Sequence, residues 1–192
     1  MKDTKVLVEV AIMVALAFVF EVIFTAFPGM PFGGRVSLSM LPIIVLSWRR
    51  GIVPGMVAGV IFSILNMLLD GIGPAAWGIT WGVFIAAVFL DYLIAFGLVG
   101  IAGIVKKPFG DNVYSFALGI VIASTLRFLF HFISGVVFWA AWAEEVQAGM
   151  NPALYSLIYN GTYMLPTLGL LLIVGIALYF PLKSYSDSEQ LT

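Results

Sequence analysis

The sequence predicts an all-α integral membrane protein with six transmembrane helices and both termini in the cytoplasm, and three observations carry that prediction. The chain of 192 residues is 62% hydrophobic and only 10% charged, with a mean hydropathy of +1.11, whereas a soluble domain carries about a quarter charged residues. Its apolar residues gather in runs at 6–27, 36–48, 52–69, 75–105, 113–142 and 152–182, to be measured against the ~20 residues a helix needs to cross hydrocarbon. Lys2, Lys5, Arg49, Arg50, Lys106, Lys107 and Lys183 fall at the N-terminus, the even-numbered turns or the C-terminus, and Arg35 sits in an odd loop. The positive-inside rule then orients the chain N-in and C-in.

Each run justifies its element. Val6–Phe27 exceeds the ~15 apolar residues of a signal peptide and is a retained first span; on it Ala11 and Ala15 stand four apart. That small-residue pair suits either close packing inside the protein or an outward docking face for another protein. The second run is short. The third carries Gly51, Gly55 and Gly59 at four-residue spacing, a face for close helix approach. The fourth opens with GPAAWGITWG, whose Gly, Pro and Trp suit a re-entrant or interfacial stretch before a helix begins near Trp81. Trp77, Trp81, Trp139 and Trp142 gather towards the outer side, with Trp48 inside. The fifth and sixth runs flank a short outer turn, and the chain ends in a polar tail, KSYSDSEQLT. Residues 1–192 therefore form a single membrane domain.

Composition also excludes functions. A net charge of −1 gives no reason to expect nucleic acid, and with no cysteine there are no disulfides, thiolate metal sites or cysteine nucleophiles. His131 is the only histidine, so neither a bis-histidine haem nor a multi-histidine metal site can form. The sequence has no G-x-x-x-x-G-K-[ST], no HExxH and no GxSxG. If the protein moves a solute with ATP, another subunit hydrolyses it.

The polar residues that remain inside apolar runs are the candidate site, because ionisable groups in a membrane are costly and usually functional. Counting about 1.5 Å per residue from the inner helix ends puts Asp91 and Arg127 about 22 Å up and His131 about 6 Å higher. Tyr155 and Asn160 enter from the outer side and lie within about 14 Å of it. All share the outer half of the bilayer. Arg127, His131, Gly135, Phe138, Trp139 and Trp142 form one helical stripe, in which Gly135 leaves a gap for a flat ring or for a ligand to approach the backbone. Asp91 is an ion-pair partner of Arg127, or a counter-charge for a cationic ligand, which Trp81, Tyr92, Trp139 and Tyr155 would complement through cation–π contacts, or both at once if Arg127 orients it. Glu21 and Asp70 are expected at the interface, Glu144 and Glu145 in solvent, and Gly33, Gly34 and Arg35 in a hinged outer loop able to act as a lid. Alternatives from other classes are a membrane-embedded enzyme using Asp91 and His131 as an acid–base pair, and an assembly subunit in which the cluster only joins helices.

The blocks LRFLFHFISGVVFW and NPALYSLIYNGTYMLP, with LDYLIAF at 90–96, RRGIVPGMVAG at 49–59 and the Ala11/Ala15 pair, resemble the thiamine-specific S component of energy-coupling factor (ECF) transporters. The resemblance spans nearly the whole chain. It implies a small helical bundle in a prokaryotic plasma membrane that captures thiamine at its outer face, without a cofactor. Its implied partners are a transmembrane coupling protein, two cytoplasmic ATPase subunits and membrane lipid. By residue, it implies that Asp91, Tyr92, His131, Gly135, Trp139, Tyr155 and Asn160 face the vitamin, that an aromatic at or near Trp81 joins them, and that Ala11 and Ala15 dock the coupling protein. The chain departs from some relatives in having Gly33-Gly34-Arg35 where they place a lid tryptophan, and Asp91 where they have glutamate. A related reading is an S component for another vitamin or a thiamine precursor.

Overall fold

The computed structural model describes residues 4–31, 33–70, 74, 78–147 and 149–189, and no strand occurs among them. In chain order the helices are α1 (Thr4–Thr25), α2 (Met40–Arg50), α3 (Ile52–Leu69), α4 (Trp81–Phe109), α5 (Val113–Phe138), α6 (Ala140–Val146) and α7 (Pro152–Glu189). Lys2, Trp77 and residues 190–192 lie outside the described residues, as does the side chain of Trp142. Among the described residues five helices, α1, α3, α4, α5 and α7, are long and apolar enough to cross a membrane. The second predicted span is the 11-residue α2, which reaches about 16 Å at ~1.5 Å per residue, about half of the ~30 Å hydrocarbon thickness.

Local sequence sets the helix ends. Asn112 caps α5, its Oδ1 accepting from the Ser115 N–H at 3.0 Å, and Thr80 does the same for α4 through Val83. Asn151 accepts from the N–H groups of Ala153 and Leu154, and Pro152 takes the first helical position, where its missing N–H costs nothing. Helix α7 then runs on through Glu189, so part of the expected polar tail is helical. Helix α4 is the irregular one. It widens into a π-helix over Val88–Ile94 and tightens into a 3₁₀ turn over Ala102–Val105.

The short α2 organises the bundle. Met40 to Trp48 are all buried, as expected of a helix that is apolar on every side. Because α2 fills only the half of the bundle that ends at Arg49 and Arg50, the other half of its position is left to the loop after α1 and to a cavity. Ser47 fastens α2 to α4, donating to the Gly100 carbonyl and accepting from the Gly103 N–H. On α3, Gly55 and Gly59 serve internal packing as their spacing suggested: a Cβ on Gly59 would sit 2.1 Å from the Phe96 carbonyl oxygen of α4. Gly51 is different, turning the α2–α3 corner at φ 94° with open space around it.

Basic residues collect at the end of the bundle where α2 meets α3. Arg49 and Arg50 pair with Glu9 of α1. Asp111 accepts from Trp48 Nε1 and Tyr179 Oη, each at 3.1 Å, and pairs with Lys106 at 2.9 Å. Partial burial pushes the Asp111 carboxyl up, but Lys106, Tyr179 and Trp48 outweigh it and hold the group below the usual carboxylate range. Large apolar side chains such as Leu68, Leu165 and Ile173 are exposed around the bundle's outside. Lipid solvates such residues, so the bundle is held by packing and polar contacts rather than by apolar burial between helices.

Candidate functional site

At the end opposite that basic cluster, between α1, α3, α4, α5 and α7, lies a cavity of about 520 Å³, within the ~300–1,000 Å³ range of small-ligand sites. Asp91 is its polar centre. The π-helix that carries Asp91 and Tyr92 is an irregularity common at functional sites; the wider turn gives both side chains a place on the lining. Asp91 Oδ1 lies 3.0 Å from His131 Nδ1, and Oδ2 accepts from Ser134 Oγ at 2.6 Å and Trp139 Nε1 at 3.2 Å. These bonds set His131 and Ser134 of α5, and Trp139 just past its end, against α4.

The alternatives held open for Asp91 are thereby narrowed. Arg127 does not pair with it directly. Its Nε–H donates to His131 Nε2 at 3.2 Å, its Nη1 lies 3.1 Å from Met40 Sδ, and its guanidinium stacks 4.3 Å from the Phe96 ring centre. With Nε2 accepting, the imidazole is neutral and its proton is assigned to Nδ1, so that Nδ1–H donates to Asp91. Arg127, His131 and Asp91 form a relay from the floor of the cavity upward, and Arg127 acts through the histidine.

On α7, Asn160 donates to the Ser156 carbonyl at 3.0 Å and accepts from Tyr163 Oη at 3.0 Å. Ser156 donates in turn to the Phe132 carbonyl of α5 at 2.9 Å. This seam explains Gly135. A Cβ there would lie 2.2 Å from Ser156 Oγ, so the glycine admits α7, and the gap expected for a ligand ring between His131 and Trp139 is partly filled by serine. Gly135 still lines the cavity.

The predicted residues Asp91, Tyr92, His131, Gly135, Trp139, Tyr155 and Asn160 all line this one cavity, and Trp81 does not. Trp81 is the first residue of α4, 69% exposed, its ring edge-on to Phe84; a helix-opening position at the bundle's rim places it away from the lining. Glu21 and Asp70, expected at the interface, are lining residues too, as are Arg35 and Asn66. Tyr92 Oη donates to Asp70 at 2.8 Å, and Ser37 Oγ to Glu21 at 2.8 Å. Burial pushes the Asp70 carboxyl up, against the lowering effect of the Tyr92 hydrogen bond. Glu144 and Glu145 are exposed, as expected. Tyr159 and Tyr163 also line the cavity and were missed, although with Tyr155 they repeat every four residues on α7, a detectable stripe.

Charge and shape together suit an organic cation. Three carboxylates, Glu21, Asp70 and Asp91, face two guanidiniums, Arg35 and Arg127, which leaves the lining one negative charge in excess. Aromatic walls from Tyr92, Trp139, Tyr155 and Tyr159 complete the site. Among the described residues no group of His, Cys, Asp and Glu has the geometry to hold a metal.

Residues 7–187 match the family described as thiamine transporter protein (Thia_YuaJ). The chain is 35% identical over 193 residues to the thiamine transporter ThiT of Bacillus subtilis (strain 168), covering 96% of this chain and 95% of that protein. It is 35% identical over 191 residues to the thiamine transporter ThiT of Lacticaseibacillus paracasei, covering 92% and 88%. A solved structure of ThiT from Listeria monocytogenes aligns with a TM-score of 0.72 at 26% identity, covering 95% of each chain.

Proposed function

The chain belongs to the thiamine transporter protein family, and from that premise we propose that it is the high-affinity thiamine-binding S component of an ECF transporter, capturing the vitamin in the cavity described above. It is a multi-pass cell-membrane protein, one domain over 1–192, and in this reading it lies N-in and C-in with the basic cluster in the cytoplasm and the cavity open to the outside. The observation that carries the proposal is a cavity of about 520 Å³ with aromatic walls and one excess negative charge. Thiamine pairs a permanently cationic thiazolium with a flat aminopyrimidine bearing hydrogen-bond donors and acceptors.

The roles follow from what each group has left to offer. Asp91 already takes three donors, and a carboxylate has about four acceptor positions, so one remains for the aminopyrimidine's amino group. His131, held neutral by Arg127, and Trp139 fix that carboxylate. The thiazolium lies among Tyr92, Tyr155 and Tyr159, where a desolvated cation over a ring gains about 2 kcal/mol, with Glu21 and Asp70 supplying counter-charge. Asn160 and Ser156 set the separation of α5 and α7 and hence the width of the slot. Trp81, at the rim, is left without a binding role.

Energy comes from a coupling protein and two cytoplasmic ATPase subunits in this proposal, with α1 as the docking element. Ala11 and Ala15 are exposed, while Val10, Val14 and Ala17 face the bundle, an arrangement that favours docking over internal packing. Cells that express the chain with coupling and ATPase subunits are expected to accumulate labelled thiamine, and cells lacking those subunits are not. Ala11→Trp with Ala15→Trp should abolish accumulation while the purified variant still binds thiamine. Loss of binding together with uptake would contradict the docking role.

A further inference from the structure

Arg35 is the lining residue whose hydrogen bonding is incomplete. Its Nε is shielded from solvent and has no hydrogen-bond partner among the described residues. Buried donors are rarely left unpaired, because an unmade hydrogen bond forfeits the full cost of desolvation. The loop that carries it is not loosely placed. Gly33 and Gly34 adopt φ 103° and 71°, and a Cβ on Gly34 would lie 2.2 Å from the Tyr163 ring. Only glycine lets this backbone lie against the α7 tyrosines, and that course sets Arg35 at the cavity.

The surroundings of Arg35 specify what it can bind. Glu21 and Asp70 line the same cavity, each already accepting one hydrogen bond, from Ser37 and Tyr92. The charges of Glu21 and Arg35 are both felt at Asp70. An anionic substituent here would meet two carboxylates and one guanidinium, a net repulsion. A carbonyl would use the arginine and leave the carboxylates idle. A hydroxyl accepts through its oxygen and donates through its hydrogen, which matches a guanidinium N–H beside carboxylate oxygens.

We propose that Arg35 is a specificity-determining residue, its Nε–H donating to a neutral hydroxyl of the ligand that in turn donates to a carboxylate oxygen of Asp70 or Glu21. The assignment rests on the thiamine reading above; in thiamine the group is the alcohol on the thiazolium side arm, at the far end from the aminopyrimidine held by Asp91. The pole therefore reads the free alcohol and disfavours its phosphate ester.

The test compares thiamine with its analogue carrying an ethyl arm in place of hydroxyethyl, by equilibrium titration of the purified full chain. Wild type is expected to bind thiamine about tenfold or more tightly than the ethyl analogue, the scale of a hydrogen bond to a charged group. Arg35→Met should lose that difference by weakening thiamine alone, and unchanged binding of the analogue certifies that the variant is folded. Arg35→Lys, which keeps the charge without the planar fork, is expected to lose most of the difference too. Equal affinity of wild type for both ligands, an equal drop for both in the two variants, or no change for either overturns the assignment. Failure of wild type to bind thiamine at all would instead overturn the proposed function.

Discussion

Asp91→Asn is expected to weaken thiamine binding by roughly 30- to 700-fold, corresponding to about 2–4 kcal/mol for a desolvated charge removed from its hydrogen-bonded partners. Geometry makes this substitution harsher than its size suggests. One oxygen of Asp91 takes His131, and the other takes Ser134 and Trp139. An asparagine oxygen can keep the histidine, but its amide nitrogen then faces a serine and a tryptophan N–H. Serine can reverse its hydroxyl; the indole can only donate, so the Trp139–Asp91 hydrogen bond is lost. The excess negative charge of the lining vanishes as well. Asp91→Glu keeps charge and acceptors with one more methylene and should lose far less. Isothermal titration of the two variants checks the argument, and an asparagine variant as tight as wild type would contradict the role given to Asp91.

Arg127→Met produces the second large effect, and mainly on stability. Its guanidinium satisfies His131 Nε2 and stacks on Phe96. Removing it leaves the imidazole acceptor unpaired, at about 1–3 kcal/mol, and forfeits a cation–π contact of about 0.5–2 kcal/mol. The histidine is then free to move its proton to Nε2, which would turn an acceptor towards Asp91. The expected result is a lowered unfolding midpoint in detergent together with weakened binding. Because Arg127 acts through His131, Arg127→Met combined with His131→Gln should cost less than the two single losses summed. Strict additivity would mean that Arg127 touches the ligand independently.

How much of this was legible in the sequence differs by residue. The helical membrane class followed from hydropathy, as did the starts of α5 and α7, where the apolar runs begin at 113 and 152, and that of α4 from the Gly, Pro and Trp before Trp81. Seven residues that line the one cavity were picked out by depth counting, the helical stripe and family resemblance, since rise per residue converts position into height. The half-length of α2 was visible only as a short run, while its consequence, a vacancy beyond its end that becomes the cavity, depends on packing that no local pattern reports. Glu21 and Asp70 were assigned to the interface because depth alone does not say which way a helix end faces. Gly135 looked like space for a ligand because its neighbour in space, Ser156, is 21 positions away in the chain. Arg127 and Asp91 share a height, and only the side-chain geometry put His131 between them.

The central claim is that thiamine occupies the cavity walled by Trp139. The most direct measurement is tryptophan fluorescence of the purified protein titrated with thiamine, riboflavin and biotin, in wild type and in Trp139→Phe. Quenching by thiamine at concentrations that leave riboflavin and biotin silent, with most of that quench lost in Trp139→Phe while Trp81→Phe retains it, is the result expected. Equal responses to the three vitamins, or a thiamine quench that survives Trp139→Phe undiminished, would contradict it.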